Sequence, residues 1–172
     1  CDLGGVIDAA VTEASHVCTA NLGCAPDVIV RWNDDDDGDA AVRATVVRPW
    51  MHHVLVEILK NAMSSTVQKA LLLSSSSSSS SFDDDDDDDD SASHVVPPVR
   101  MRVEEDAQAV TLRISDAGMG LGESRTKAFR FAVTGFSQRQ WDRLQEQQSY
   151  ANVQIVPLTG LGVGLPLSRL MV

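Results

Sequence analysis

Glu57 and Asn61 stand four residues apart in the largely apolar run from Val54 to Met63. On a helix, positions i and i+4 project from one face, so a carboxylate and a carboxamide there can serve one site. Two polar groups turned toward a core are costly without partners, and a nucleotide with its metal ion would supply them. A second group of this kind is Asp116-Ala117-Gly118-Met119-Gly120, directly after a strand pattern ending at Ile114 and Ser115. A carboxylate at a strand end can accept a hydrogen bond from an exocyclic amine, and glycines let the backbone approach a flat ligand. Taken alone, the same five residues also describe a plain turn. A third group is Gly160-Leu161-Gly162-Val163-Gly164-Leu165-Pro166. Alternating glycines before a helix start expose amide N–H groups to phosphate oxygens, aided by the helix dipole.

Better-known glycine loops do not fit the third group. The dinucleotide fingerprint needs an acidic residue about twenty positions further on, and the sequence ends first. A Walker loop needs Gly-Lys-Ser or Gly-Lys-Thr, which is absent. The composition narrows the partners. Residues 83–90 supply eight of the net −11 charges, leaving −3 for the remainder, so the acidity is local and argues against nucleic acid as a partner. Cys1, Cys18 and Cys24 are odd in number and form no C-x-x-C pair, which fits neither a disulfide framework nor a zinc site and suggests a reducing compartment. No apolar run reaches the roughly 18 to 20 residues of a membrane helix, and the start Cys1-Asp2-Leu3 reads as a piece cut from a longer chain.

The elements that must position these groups follow from pattern and punctuation. Val6, Ala9, Ala10, Glu13, Ala14, Val17 and Cys18 predict a helix over about 4–21, ended by Gly23 and Pro26. Residues 28–32 and 44–47 read as two strands joined by the acidic turn 34–39, a hairpin. Pro49 suits the first turn of a helix over about 50–72 that carries Glu57 and Asn61. Serines 74–81 and aspartates 83–90 can bury nothing that offsets the entropy of ordering, so residues 74–93 read as a disordered low-complexity insertion. Residues 99–103 and 109–114 alternate around Glu105-Asp106 as adjacent strands, 138–150 reads as a polar mobile stretch, and a final helix begins near Leu165. The sum is a mixed α/β fold of one domain.

As a set and in this order, the three groups resemble the N, G1 and G2 boxes of the superfamily uniting gyrase, heat-shock chaperone ATPases, histidine kinases and MutL. Within it, the closest resemblance is to the mitochondrial pyruvate dehydrogenase kinase and branched-chain α-ketoacid dehydrogenase kinase family. His52-His53-Val54-Leu55-Val56-Glu57-Ile58-Leu59-Lys60-Asn61-Ala62-Met63 is similar to that family's H-x-x-x-E-L-x-K-N-A-M. Pro157 to Leu170 resembles its P-L-A-G-x-G-x-G-L-P-x-S-R-L, and Val96-Pro97-Pro98-Val99-Arg100-Met101 its L-P-P-I-K-V.

The resemblance implies a two-layer α/β sandwich of the Bergerat ATP-binding type over residues 1–172, a histidine-kinase-like domain truncated at its C-terminus. It implies ATP and Mg²⁺ as cofactors, with Asn61 on the metal and Asp116 on the adenine amino group. Gly118 and Gly120 would shape the adenine pocket. Gly160, Leu161, Gly162, Val163, Gly164 and Leu165 would hold phosphates, with Thr134 as a lid hydroxyl. Glu57 would be the general base on a substrate serine, tuned by His53. The partners implied are a 2-oxo acid dehydrogenase E1 subunit, the lipoyl-bearing core of that complex and a second copy in a homodimer, all in the mitochondrial matrix. The sequence departs from the family at Met119, which replaces a middle glycine, and at Ser64, which replaces an arginine. Other readings stand beside this one: a non-catalytic ATP-binding module, or a histidine kinase or ATPase of the same superfamily. Glu57 in a plain ion pair, Lys60 as a surface lysine, His53 as a satisfied helix histidine, and Trp32, Trp50 and Trp141 as packing residues are the blander assignments.

Overall fold

The computed structural model describes residues 2–33, 44–77, 96–122, 127–131 and 162–171. Helix α1 spans Leu3–Leu22. Asp2 caps its start by accepting the Gly4 N–H, a contact worth about 1 kcal/mol. Gly23, at φ 80°, closes its end by donating to the Thr19 carbonyl, a left-handed cap that glycine adopts without strain. Its buried face is Leu3, Val6, Ile7, Ala10, Ala14, Val17 and Cys18, whereas Ala9, expected on that face, is exposed. Burial pushes the Cys18 thiol up to about 11, with neighbouring Cys24 adding to the effect, and both cysteines are free.

Strand β1 is Val28–Trp32, α2 is Arg48–Ser77, β2 is Val99–Glu105, β3 is Val110–Ser115, and a short α3 covers Gly164–Met171. The sheet order is β1-β2-β3, with β1 parallel to β2 and β2 antiparallel to β3. This corrects the expected hairpin. Residues 44–47 form no strand; they lead into α2, where the Val47 carbonyl accepts the N–H groups of Trp50 and Met51. The edge they were to fill is taken by β2, whose Val99, Met101 and Val103 bury one face completely. Residues 34–43, the turn of that hairpin, lie outside the described residues.

Helices α1 and α2 pack together and cover one face of the sheet, with Leu55, Leu59, Met63 and Val67 of α2 in the shared core. The fold is thus a mixed α/β arrangement of helices over a three-stranded sheet. Helix α2 runs five residues beyond the expected end, so the first serines of the low-complexity tract are helical; residues 78–95 lie outside the described residues, as does 138–150. Trp32 packs partly buried against the core, but Trp50 is 49% exposed and is no packing residue, standing with Arg48 and Pro49 on the exposed start of α2. Trp141 and His94 lie outside the described residues. No helix among the described residues is long and apolar enough to cross a membrane.

Candidate functional site

Helix α2, the loop after β3 and helix α3 enclose a cavity of ≈ 660 Å³. Its apolar lining comes from Val54, Ile58 and Ala62 of α2, Ile114 of β3, Leu121, Phe129 and Leu165. The polar groups among its lining residues are few: Asn61, Ser65, Asp116, Ser168 and Arg169. An apolar cavity with a few convergent polar groups suits a flat ligand with a polar edge.

Asn61 is exposed, and its amide nitrogen donates to the Glu57 carbonyl at 2.7 Å. That bond leaves the carboxamide oxygen as the atom with capacity for a ligand, and an oxygen is what a hard cation takes. Among the described residues no group of three His, Cys, Asp or Glu could hold a metal. A Mg²⁺ ion here would therefore fit one protein oxygen plus oxygens of a bound phosphate, the usual way such ions are carried. Asp116 accepts the Gly118 N–H at 2.8 Å through Oδ1, which orients the carboxylate while its other oxygen keeps its capacity to accept.

The loop carrying Asp116 is pinned by α2. Met119 N–H donates to Ser65 Oγ at 3.0 Å, and Lys69 Nζ donates to the Gly118 carbonyl at 3.3 Å. Gly118 lies so close to Ser65 that a Cβ there would collide with the serine side chain. The close approach seen at this glycine is to α2, whereas the approach expected from the sequence was to a flat ligand. Gly120, at φ 71°, lines the cavity and turns the chain in the left-handed region.

At the other end of the site, Lys60 Nζ lies 2.5 Å from Glu57 Oε1, the two side chains being 7% and 14% exposed. Lys60 is therefore no surface lysine. The second Glu57 oxygen abuts Gly164, where an added Cβ would meet it, so glycine here lets α3 approach α2 without displacing the tip of the glutamate. Neither Glu57 nor His53 is among the residues lining the cavity. His53 Nε2 is buried without a hydrogen-bond partner, which also removes the reading of a satisfied helix histidine. His52 is half-buried with Nε2 3.5 Å from Glu13 of α1.

Of the residues singled out in the sequence, Asn61, Asp116, Gly120 and Leu165 meet at the cavity; Gly118 and Gly164 secure its walls; Gly162 and Val163 lead into α3. Thr134, Gly160 and Leu161 lie outside the described residues. Sequence reasoning missed Ser65, Lys69, Ser168 and Arg169. The Ser168 hydroxyl is buried without a partner beside the cavity, and the Arg169 guanidinium sits 5.7 Å from the centre of the Phe129 ring, so a cation lines the same wall.

No protein-family model matches the chain. Curated relatives do, all at low identity. The mitochondrial [pyruvate dehydrogenase (acetyl-transferring)] kinase of Drosophila melanogaster is 25% identical over 172 residues, 99% of this chain and 35% of the relative. Its counterpart from Ascaris suum is 26% identical over 170 residues, 99% of this chain and 35% of the relative. That of Schizosaccharomyces pombe is 26% identical over 168 residues, 96% of this chain and 33% of the relative. The chain spans about a third of the length of the curated relatives it matches. The resemblance to the dehydrogenase kinases read from the boxes is thereby borne out along nearly the whole chain.

Proposed function

We propose that the cavity is an ATP site on a Bergerat-type sandwich. We propose further that the complete protein is a serine/threonine kinase transferring the ATP γ-phosphate to a serine of a pyruvate or branched-chain 2-oxo acid dehydrogenase E1 subunit. The observation that carries this reading is the convergence of Asn61 from α2 and Asp116 from the loop after β3 on one mostly apolar cavity. In it Asp116 would accept a hydrogen bond from the adenine amino group, and the Asn61 carboxamide oxygen would be the protein group that holds Mg²⁺, a cation that would neutralise phosphate charge. Gly162 and Gly164 at the start of α3 would offer N–H groups, and Arg169 of the cavity lining a cation, to the phosphate oxygens. Bound Mg-ATP would supply an activated phosphoryl group, and the contribution of the chain is to position it and neutralise its charge. Glu57, held by Lys60, is the base for the serine hydroxyl. The relatives' names carry the word mitochondrial, which supports placing this protein in the matrix with the dehydrogenase complex as its partner. Docking to the lipoyl-bearing core and a homodimer rest on the family resemblance alone.

The test is full-length protein with Mg²⁺, γ-labelled ATP and an E1 subunit. Labelled phosphoserine on E1 that is lost in Glu57→Gln while ATP binding persists is the expected result; ATP binding by the wild type with E1 unlabelled would reject it.

A second reading is favoured by one observation: the Glu57 carboxylate is engaged by Lys60 and is not a lining group of the cavity. A non-catalytic ATP-binding module would have this arrangement. It predicts that Glu57→Gln changes neither transfer nor phosphate release.

A further inference from the structure

A serine or threonine buried on a helix commonly satisfies its hydroxyl on the carbonyl three or four residues earlier or on a neighbouring polar group. Helix α2 follows this rule. Thr66, fully buried, donates to the Ala62 carbonyl at 2.8 Å, and buried Ser64 accepts from Gln68 Nε2 at 3.0 Å. Helix α3 departs from it. Ser168 is 3% exposed, yet its hydroxyl takes neither the Gly164 nor the Leu165 carbonyl and has no other partner. Among the described residues, the other buried side-chain polar atom in this state is His53 Nε2, and His53 does not line the cavity, whereas Ser168 does.

An unpartnered buried hydroxyl is a cost that alanine, of nearly the same shape, would avoid, so the fold itself does not require serine at 168. A ligand with a hydrogen-bonding atom would remove that cost. Ser168 stands in the cavity wall with its oxygen shielded from water, so a turn about χ1 into another staggered position can carry the oxygen to the cavity side. No hydrogen bond is broken when it leaves.

We propose that Ser168 is a ligand-contacting residue of the cavity, whose hydroxyl turns inward on binding and hydrogen-bonds an uncharged atom of the adenosine moiety. The inference rests on the ATP reading and assigns to that site a contact that the three boxes do not supply. Two features favour the nucleoside over the phosphates. Ser168 follows Gly164 by four residues, about 6 Å further along α3 and about 40° round it, so phosphates held at the helix start leave it beside the next part of the ligand. The groups suited to charge, Asn61 and Arg169, are exposed, whereas Ser168 is buried and neutral, and a neutral hydroxyl away from water suits an uncharged partner.

The test is isothermal titration of adenosine, Mg-ADP and Mg-ATP into full-length wild type, Ser168→Ala and Ser168→Cys, with melting curves recorded without nucleotide. Ser168→Ala should weaken all three ligands by a common factor of about 3 to 10, the value of one neutral hydrogen bond. Ser168→Cys keeps the volume but offers only a weak donor and acceptor, so it should lose as much. Without nucleotide, the melting temperature of Ser168→Ala should be unchanged or raised, because no hydrogen bond is lost. The inference alone is overturned if the wild type binds and Ser168→Ala binds equally well, or if Ser168→Cys keeps full affinity. It is likewise overturned by a loss confined to the phosphorylated ligands, by absence of adenosine binding in a wild type that takes Mg-ATP, or by a lowered nucleotide-free melting temperature in Ser168→Ala. A wild type that binds none of the three overturns the ATP reading itself, and this inference with it.

Discussion

The two ends of the polar stripe on α2 hold their loops in different ways. At the C-terminal end, Ser65 and Lys69 grip the Asp116 loop through neutral and charge-assisted hydrogen bonds to backbone atoms. At the N-terminal end, Glu57 and Lys60 form a nearly buried ion pair whose carboxylate is pressed against Gly164 of α3. Backbone hydrogen bonds fix a loop at modest energy and tolerate solvent. A buried pair contributes little net stability, yet losing one partner strands a charge. The expected consequence is that loss of a side-chain partner costs more at the Glu57 end than at the Asp116 end.

The largest effect should come from Lys60→Met, which leaves Glu57 without its cation and should cost about 3–5 kcal/mol in urea unfolding. The matching change at the other end, Lys69→Met, should cost only about 1 kcal/mol. Equal costs would erase the contrast, and recovery of most of the loss in Glu57→Gln/Lys60→Met would sharpen it. Next in size is the pair of glycines. A Cβ on Gly118 meets the Cβ of Ser65, which is fixed to the helix backbone, whereas one on Gly164 first meets the tip of a glutamate. Gly118→Ala should therefore destabilise by about 2–3 kcal/mol and Gly164→Ala by about 1 kcal/mol, read from thermal melts. The smallest effect is Ser65→Ala, about 1 kcal/mol of stability, accompanied by a several-fold loss of nucleotide affinity as the Asp116 loop loosens.

Much of this site was legible in the sequence because polar residues on a largely apolar helix need a reason. Glu57 and Asn61 supplied the clue, but the same four-residue step continues to Ser65 and Lys69, and extending it would have found the two residues that hold the loop. Each step of four turns about 40° further round the helix, so the stripe winds from the α3 side to the Asp116 side. Lys60 sits outside that series and looked like any surface lysine, since its burial is a tertiary fact. In the fold, α1, β2, β3 and α3 followed from local periodicity and caps. The partner of β1 did not: residues 44–47 are near in sequence and suitably apolar, while the actual neighbour, β2, begins 67 residues after Trp32. Local pattern favours a hairpin, and only the shared core decides for the parallel crossover.

The central claim is that Asn61 and Asp116 form one nucleotide site. Isothermal titration of Mg-ATP into the wild-type chain and Asp116→Ala tests it most directly. One-to-one binding by the wild type, weakened about 10- to 100-fold in Asp116→Ala and preserved in Glu57→Gln, is the predicted result. A wild type that takes up no Mg-ATP, or an Asp116→Ala chain that binds it equally well, would contradict the account.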